Sequence, residues 1–260
     1  MRRRELLDEG ALEQAAQALA KARYAIALTG AGMSVESGIP DFRSEDGLWN
    51  RFPPDQYATL SAFNADPARC WAMLRAMLEL LRSAEPNAGH LALAELERAG
   101  RLQRIVTQNI DGLHTRAGSR EPVEVHGTWR GLRCPTCGFA DRGAEADGEE
   151  VPTCPRCYSP MKPPVVLFEE SLPAHAMGEA WRLAQRCDLM LVIGTSLAVQ
   201  PIASLPQVAA ARGVPLVEID LEPGHLREHG ALELAGGAAG ILPRLAARVL
   251  ELSGNEQAGS

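Results

Sequence analysis

No apolar run in the chain approaches the roughly 20 residues a helix needs to cross a membrane, so nothing reads as a spanning segment. A cationic surplus is also missing. Lysine and arginine number 26 against 33 aspartates and glutamates, for a formal net charge of −7. That balance excludes a general binder of nucleic acid or anionic membrane, and weakly suits a basic peptide partner. No secretory leader is expected, because the basic start Arg2-Arg3-Arg4 meets Asp8 and Glu9 where a long apolar region belongs. No internal repeat is visible. The expected setting is a reducing cytoplasm, and 260 residues suffice for a large domain with a small companion.

The dehydrogenase fingerprint is absent as well. The strand-like Tyr24-Ala25-Ile26-Ala27-Leu28-Thr29 leads into Gly30-Ala31-Gly32-Met33-Ser34-Val35, where the fingerprint wants glycine at position 35. No acidic residue closes a second strand about 20 residues on, where a ribose-binding carboxylate belongs. Gly-x-Gly after a strand is by itself as compatible with a tight turn as with a nucleotide site. Such glycines let the backbone turn sharply, and free N–H groups there can hold a pyrophosphate. The loop continues through Ser37-Gly38-Ile39-Pro40-Asp41-Phe42-Arg43, placing an aromatic and a cation on a segment stiffened by proline. This reads as a nucleotide loop equipped for chemistry of its own.

Helical spacing of Leu12, Ala15, Ala16, Leu19 and Ala22 precedes that first strand. Further buried strands are expected at 104–107, 188–193 and 214–219, with helices at 90–98, 172–185 and 202–212 between them. The alternation predicts an α/β fold with a doubly wound parallel sheet. Ligands of such sheets sit beyond the carboxyl ends of the strands. Thr29-Gly30, Thr107-Gln108-Asn109 and Gly194-Thr195-Ser196 all fall at that edge. Residues 44–85 break the alternation with a Met- and Leu-rich helix at 66–82, and 253–260 reads as a frayed tail.

Residues 127–162 are rich in Gly, Pro and Cys and poor in apolar periodicity, so they need a staple. Cys134-Pro135-Thr136-Cys137 and Cys154-Pro155-Arg156-Cys157 are two Cys-x-x-Cys knuckles at the spacing of a four-cysteine zinc site. Disulfides compete, but a cytosolic setting disfavours them. Four thiolates leave no open coordination position, which predicts one structural Zn2+. A nucleic-acid-binding ribbon is disfavoured by Asp141, Glu145, Asp147, Glu149 and Glu150 in the insert. Cys70 and Cys187 read as packing residues.

Together, Gly30-Ala31-Gly32-x-Ser34-x-x-Ser37-Gly38-Ile39-Pro40-Asp41-Phe42-Arg43, Thr107-Gln108-Asn109-Ile110-Asp111-Gly112-Leu113-His114, Val125-His126-Gly127-Thr128, the cysteine quartet and Gly194-Thr195-Ser196-Leu197-Ala198-Val199-Gln200-Pro201 resemble the sirtuins. These are NAD-dependent protein lysine deacylases, here of bacterial or archaeal type. Five blocks in the family's order and spacing, over roughly Ala11 to Leu250, persuade jointly. Singly they do not: a histidine after Val125 is more often a core residue, and a Thr-Gln-Asn loop often serves only its turn.

The resemblance implies a Rossmann-like NAD-binding domain of residues 1–43, 84–126 and 162–260. A helical module (44–83) and a zinc-ribbon module (127–161) would form the small domain. It implies that the acyl-lysine carbonyl oxygen attacks the anomeric carbon of the nicotinamide ribose, that nicotinamide leaves as its bond to that carbon breaks, and that the acyl group ends on ADP-ribose. Asn109 and Asp111 would orient the nicotinamide amide and ribose, with Ile110 beside the amide. Phe42 would cover the vacated ring position. Ala31, Arg43, Gln108, Thr195 and Ser196 would bind ribose and phosphates, and Asp220 and Ala238 the adenosine. Gly30, Gly32, Asp41 and Gly194 complete the NAD-binding set. His126 would deprotonate a ribose hydroxyl, as imidazole titrates near working pH. Val166, Phe168, Glu169, Leu197 and Val199 would clamp an acyl-lysine peptide as an added strand. Membrane and specific nucleic acid are not expected partners, and a monomer is expected.

Three departures matter. The family's Phe-Gly-Glu is Phe168-Glu169-Glu170 here, which suggests a charge near the peptide and a preference for flanking Lys or Arg. Ile-Asn before the adenosine is Ile219-Asp220, which suggests altered NAD affinity. The Tyr-x-x-Arg of desuccinylating members falls at Leu74 and Met77, which offer an acidic acyl chain no partner. Acetyl or a longer neutral acyl group is therefore expected, although both residues also suit a plain core. The alternatives are a mono-ADP-ribosyltransferase, a non-catalytic NAD sensor or scaffold, and a dehydrogenase.

Overall fold

A computed structural model describes residues 8–40, 47–144, 148 and 150–258. In chain order its strands are β1 (Ala25–Thr29), β2 (Arg104–Thr107), β3 (Val123–Glu124), β4 (Leu132–Arg133), β5 (Ala140–Asp141), β6 (Leu189–Ile193), β7 (Leu216–Asp220) and β8 (Leu232–Ala235). The helices are α1 (Glu9–Lys21), α2 (Leu48–Arg51), α3 (Pro54–Tyr57), α4 (Leu60–Ala65), α5 (Pro67–Ser83), α6 (Ala88–Arg98), α7 (Leu113–Arg116), α8 (Ala174–Arg186), α9 (Leu205–Ala210) and α10 (Ala238–Ala258). Six strands form one parallel sheet in the order β3-β2-β1-β6-β7-β8. The pair β4–β5 is a separate antiparallel hairpin.

Every residue of β1 and β6 is buried, as a parallel sheet covered on both faces requires. Alternation divides the side chains. Ala25 and Ala27 join α1, α6 and α10 in one core, while Ile26 and Leu28 join α8 and α9 in the other. This is a Rossmann-like arrangement. A third core unites the helical segment with the cysteine segment, for Phe63, Trp71, Met73 and Leu74 pack with Leu132, Cys134, Cys154 and Met161. The Trp71 indole N–H donates to the Met161 carbonyl at 2.8 Å across that junction. No helix among the described residues is long and apolar enough to cross a membrane.

Several elements differ from the sequence reading. The expected 202–212 helix is a 3-10 turn, Ile202–Ser204, followed by α9, with Pro206 in the first turn of α9. Expected as a frayed tail, residues 253–258 continue α10; the Ser253 hydroxyl donates to the Val249 carbonyl one turn back. Strand β8 was not expected at all. It pairs with β7 and closes the sheet beside α1.

Candidate active site

The strands deliver their following loops to one edge, and the ladder continues into those loops. Gly30 N–H donates to the Ile193 carbonyl, Gln108 N–H to Thr29, Val125 N–H to Thr107 and Gly194 N–H to Ile219. The glycines serve this crowding. Gly30 and Gly32 have negative or extended φ, yet a Cβ on either would stand 2.7 Å from atoms of the 194–195 loop. Gly194, at φ +58°, is pressed equally hard against Gly32 and Met33. The Gly-x-Gly turn also packs closely against a second loop at the same edge. Two short 3-10 turns, Ala31–Met33 and Val35–Ser37, follow it where a dinucleotide fold has a helix.

Five candidate residues, Gln108, Asn109, Asp111, His126 and Thr195, meet at this edge. The Asn109 side-chain amide donates to the Gly30 carbonyl at 3.0 Å and to the Ser34 hydroxyl at 3.1 Å. Ser34 donates in turn to one Asp111 carboxylate oxygen at 2.7 Å, and Leu113 N–H donates to the other at 2.9 Å. Burial raises the Asp111 pKa against these two donors. The Gln108 amide donates to the Thr195 hydroxyl at 2.8 Å. His126 Nδ1 lies 2.9 Å from the Gln108 carbonyl. A carbonyl only accepts, so Nδ1 carries the hydrogen and Nε2 keeps its lone pair. Burial lowers the His126 pKa, so the imidazole is neutral at pH 7.

Beneath these groups runs a buried relay: His114 Nε2 is 3.0 Å from the Thr29 hydroxyl, Thr29 donates to Thr107 Oγ1 at 2.8 Å, and Asn109 N–H donates to that same oxygen at 3.0 Å. Ser34 and this relay were not singled out from the sequence. Their signal is conformational, since Thr29 and Thr107 meet only because β1 and β2 pair at that register.

The remaining candidates are distributed around the edge. Ala31 and Ile110 are half-buried and Ser196 is exposed. Asp220 ends β7, where its carbonyl accepts from Gly236 N–H, and Ala238 opens α10 nearby. Asp41, Phe42 and Arg43 lie outside the described residues. On the peptide side, Val166 N–H donates to the His126 carbonyl at 2.9 Å, which joins that segment to the catalytic candidate. Phe168 is exposed and tilted against Trp49, while the Glu169 carboxylate accepts from Ser61. Leu197, at φ +50°, is held by Thr195, and the Val199 carbonyl accepts from Ala203 N–H. Leu74 is a core residue and Met77 is half-buried.

The four cysteine sulfurs lie within 4.8 Å of one another. Cys134 and Cys157 are 3.5 Å apart, Cys137 and Cys154 3.6 Å. Tetrahedral Zn–S bonds of about 2.3 Å separate sulfurs by about 3.8 Å, so this donor set fits the ion.

The Sir2 family model matches residues 30–201. An NAD-dependent protein deacylase of Thermococcus kodakarensis is 41% identical over 248 residues, covering 93% of this chain and 96% of that protein. A solved Sir2 homologue–NAD complex superimposes with a TM-score of 0.86 at 40% identity, covering 93% of this chain and 94% of that one. A Sir2 protein bound to a myristoylated histone peptide does so at 0.79 and 34% identity, over 95% and 100% of the two chains. The chain belongs to the Sir2 family and is an NAD-dependent protein-lysine deacylase.

Proposed function

From membership of the Sir2 family as premise, we propose that Asn109, Asp111 and His126 carry the deacylation, and that the group removed is acetyl or a longer neutral acyl chain. One observation supports this most strongly. His126 keeps an unprotonated Nε2 while its other nitrogen is tied to the carbonyl of Gln108, the residue that precedes Asn109. An imidazole so oriented is a competent base for a ribose hydroxyl. Asn109 and Asp111, fixed through Ser34, orient the reacting ribose and amide, with Ile110 packing beside the latter.

Gly30, Ala31, Gly32, Gln108, Gly194, Thr195 and Ser196 bind the ribose and phosphates of NAD, while Asp220 and Ala238 flank the adenosine. Asp41, Phe42 and Arg43 belong to the same set by resemblance. A peptide complex among the solved relatives supports a peptide substrate, to which Val166, Phe168, Glu169, Leu197 and Val199 are assigned by resemblance. Cys134, Cys137, Cys154 and Cys157 hold one structural zinc ion, which supplies folding energy and no chemistry to the reaction. The core shared by the helical and cysteine segments supports treating 44–83 and 127–161 as one small domain on the larger 1–43, 84–126 and 162–260 unit.

The acyl preference rests on apolar Leu74 and Met77. Arg75, the nearest cation in sequence, donates to the carbonyls of Gly148 and Glu150. The test is turnover of matched acetyl-, myristoyl- and succinyl-lysine peptides with NAD, following nicotinamide release and peptide mass together. Acetyl or myristoyl removal should exceed succinyl removal by at least about tenfold, the cost of roughly one unpaired charge contact. Dominant succinyl removal would overturn the preference. Nicotinamide release without deacylation would point to ADP-ribosyl transfer.

A further inference from the structure

Glu169 has a left-handed backbone, φ +71°, a conformation that side chains enter at a cost and glycine does not. Its carboxylate has a defined partner. One oxygen accepts from Ser61 N–H at 2.9 Å and from the Ser61 hydroxyl at 2.6 Å. These donors hold its pKa below the usual carboxylate range. The preceding residue is joined to the same stretch by its backbone. Phe168 N–H donates to the Ala58 carbonyl at 2.9 Å, and the Phe168 carbonyl accepts from Leu60 N–H at 3.0 Å. Glu169 thus extends by side chain a ladder that Phe168 makes by main chain.

Glu170 reaches a different body. Its carboxylate lies 2.9 Å from the ammonium of buried Lys162 and accepts from Leu167 N–H at 2.7 Å. Lys162 pairs by backbone with Arg133 of β4. Two consecutive glutamates therefore tie this stretch to two different segments, Glu169 to the helical segment and Glu170, through Lys162, to the cysteine segment.

We propose that Glu169 is a positioning residue for the peptide-binding lip, latching Phe168 to the start of α4 through Ser61. The carboxylate serves the lip's geometry, not a basic residue of the substrate. This rests on the reading of Val166 and Phe168 as substrate contacts, so the experiment separates the two. Peptide KM and NAD KM are measured for Ser61→Ala, Glu169→Ala, Glu169→Gly, the Ser61→Ala/Glu169→Ala double variant and Phe168→Ala, with Tm recorded for each. The latch predicts peptide KM raised about three- to tenfold in both single alanine variants, with no further rise in the double variant, as coupled residues behave. NAD KM should stay at the parent value. Glu169→Gly relieves the backbone cost but loses the latch, so its Tm should be maintained while its peptide KM still rises. A normal peptide KM in Glu169→Ala alongside a raised one in Phe168→Ala would overturn the latch alone. A normal peptide KM in Phe168→Ala would overturn the substrate reading and the latch with it.

Discussion

His126 shows how a single side chain is prepared for the role proposed for it. Its Nδ1–H is committed to the Gln108 carbonyl, and burial favours the neutral ring. A base must be deprotonated to act, and this group's pKa lies below its ordinary 6.5. The acidic limb of the kcat/KM profile, which reports the free enzyme, should therefore fall below pH 6.5, with activity retained at pH 6.5 and lost as pH drops through the lowered pKa. A limb at or above 6.5 would count against His126 as the base. Ser34 makes the corresponding case for an unassigned residue. It is buried, accepts from Asn109 and donates to Asp111. Ser34→Ala leaves a buried carboxylate oxygen without its donor, so kcat should fall by about tenfold or more while the fold survives, a loss of about 1–3 kcal/mol. Steady-state kinetics beside circular dichroism would show it. Ser34 stood within a quoted motif, but sequence alone could not show that its hydroxyl bridges the other two.

At the scale of elements, the loops matter through their packing. Gly30→Ala would place a Cβ 2.7 Å from the Gly194 carbonyl oxygen and from Thr195 Cβ. The expected result is about 1–3 kcal/mol of destabilisation with a raised KM for NAD, read by denaturant melts and kinetics. Helices α6 and α7 bring His90 and His114 together with ring centroids 4.8 Å apart. Burial holds His90 down to about 4 and His114 down to about 3. In the unfolded chain both take up protons near 6.5, so stability is full above that pH and is lost as pH falls toward 4. The loss should be on the order of a few kcal/mol by pH 4. Urea midpoints at pH 7, 5.5 and 4.5 test it, and a flat series would contradict it. The strands of the sheet centre were legible because each is a continuous apolar run. Strand β8 was not: Leu232-Glu233-Leu234-Ala235 is short and carries an acid that pairs with Arg227. Helix α10 was obscured by Gly236-Gly237 before it and Pro243 within it.

For the whole molecule, the motif blocks located the site edge and the cysteine cluster, because each block is local in sequence. What joins them is not. The Thr29–Thr107 contact and the Ser61–Glu169 bonds span 78 and 108 residues of separation, and these and the third core depend on the finished topology. The cysteine segment has β4–β5 and the knuckles in place of a long apolar element, so its order should depend on metal. Purified protein should contain one zinc per chain. Chelation should release it with a loss of tryptophan signal, since Trp71 bonds to Met161 beside the knuckles. Metal-free protein with an unchanged spectrum would contradict the assignment.

The central claim is that His126 is the base for the ribose hydroxyl, a step that follows attack on the anomeric carbon and departure of nicotinamide. The most direct measurement follows nicotinamide exchange and peptide deacetylation in parallel for the parent enzyme and His126→Ala, with NAD and an acetyl-lysine peptide. The account predicts that the variant loses deacetylation by about 100-fold or more while still exchanging labelled nicotinamide into NAD. Deacetylation by His126→Ala at the parent rate would contradict it.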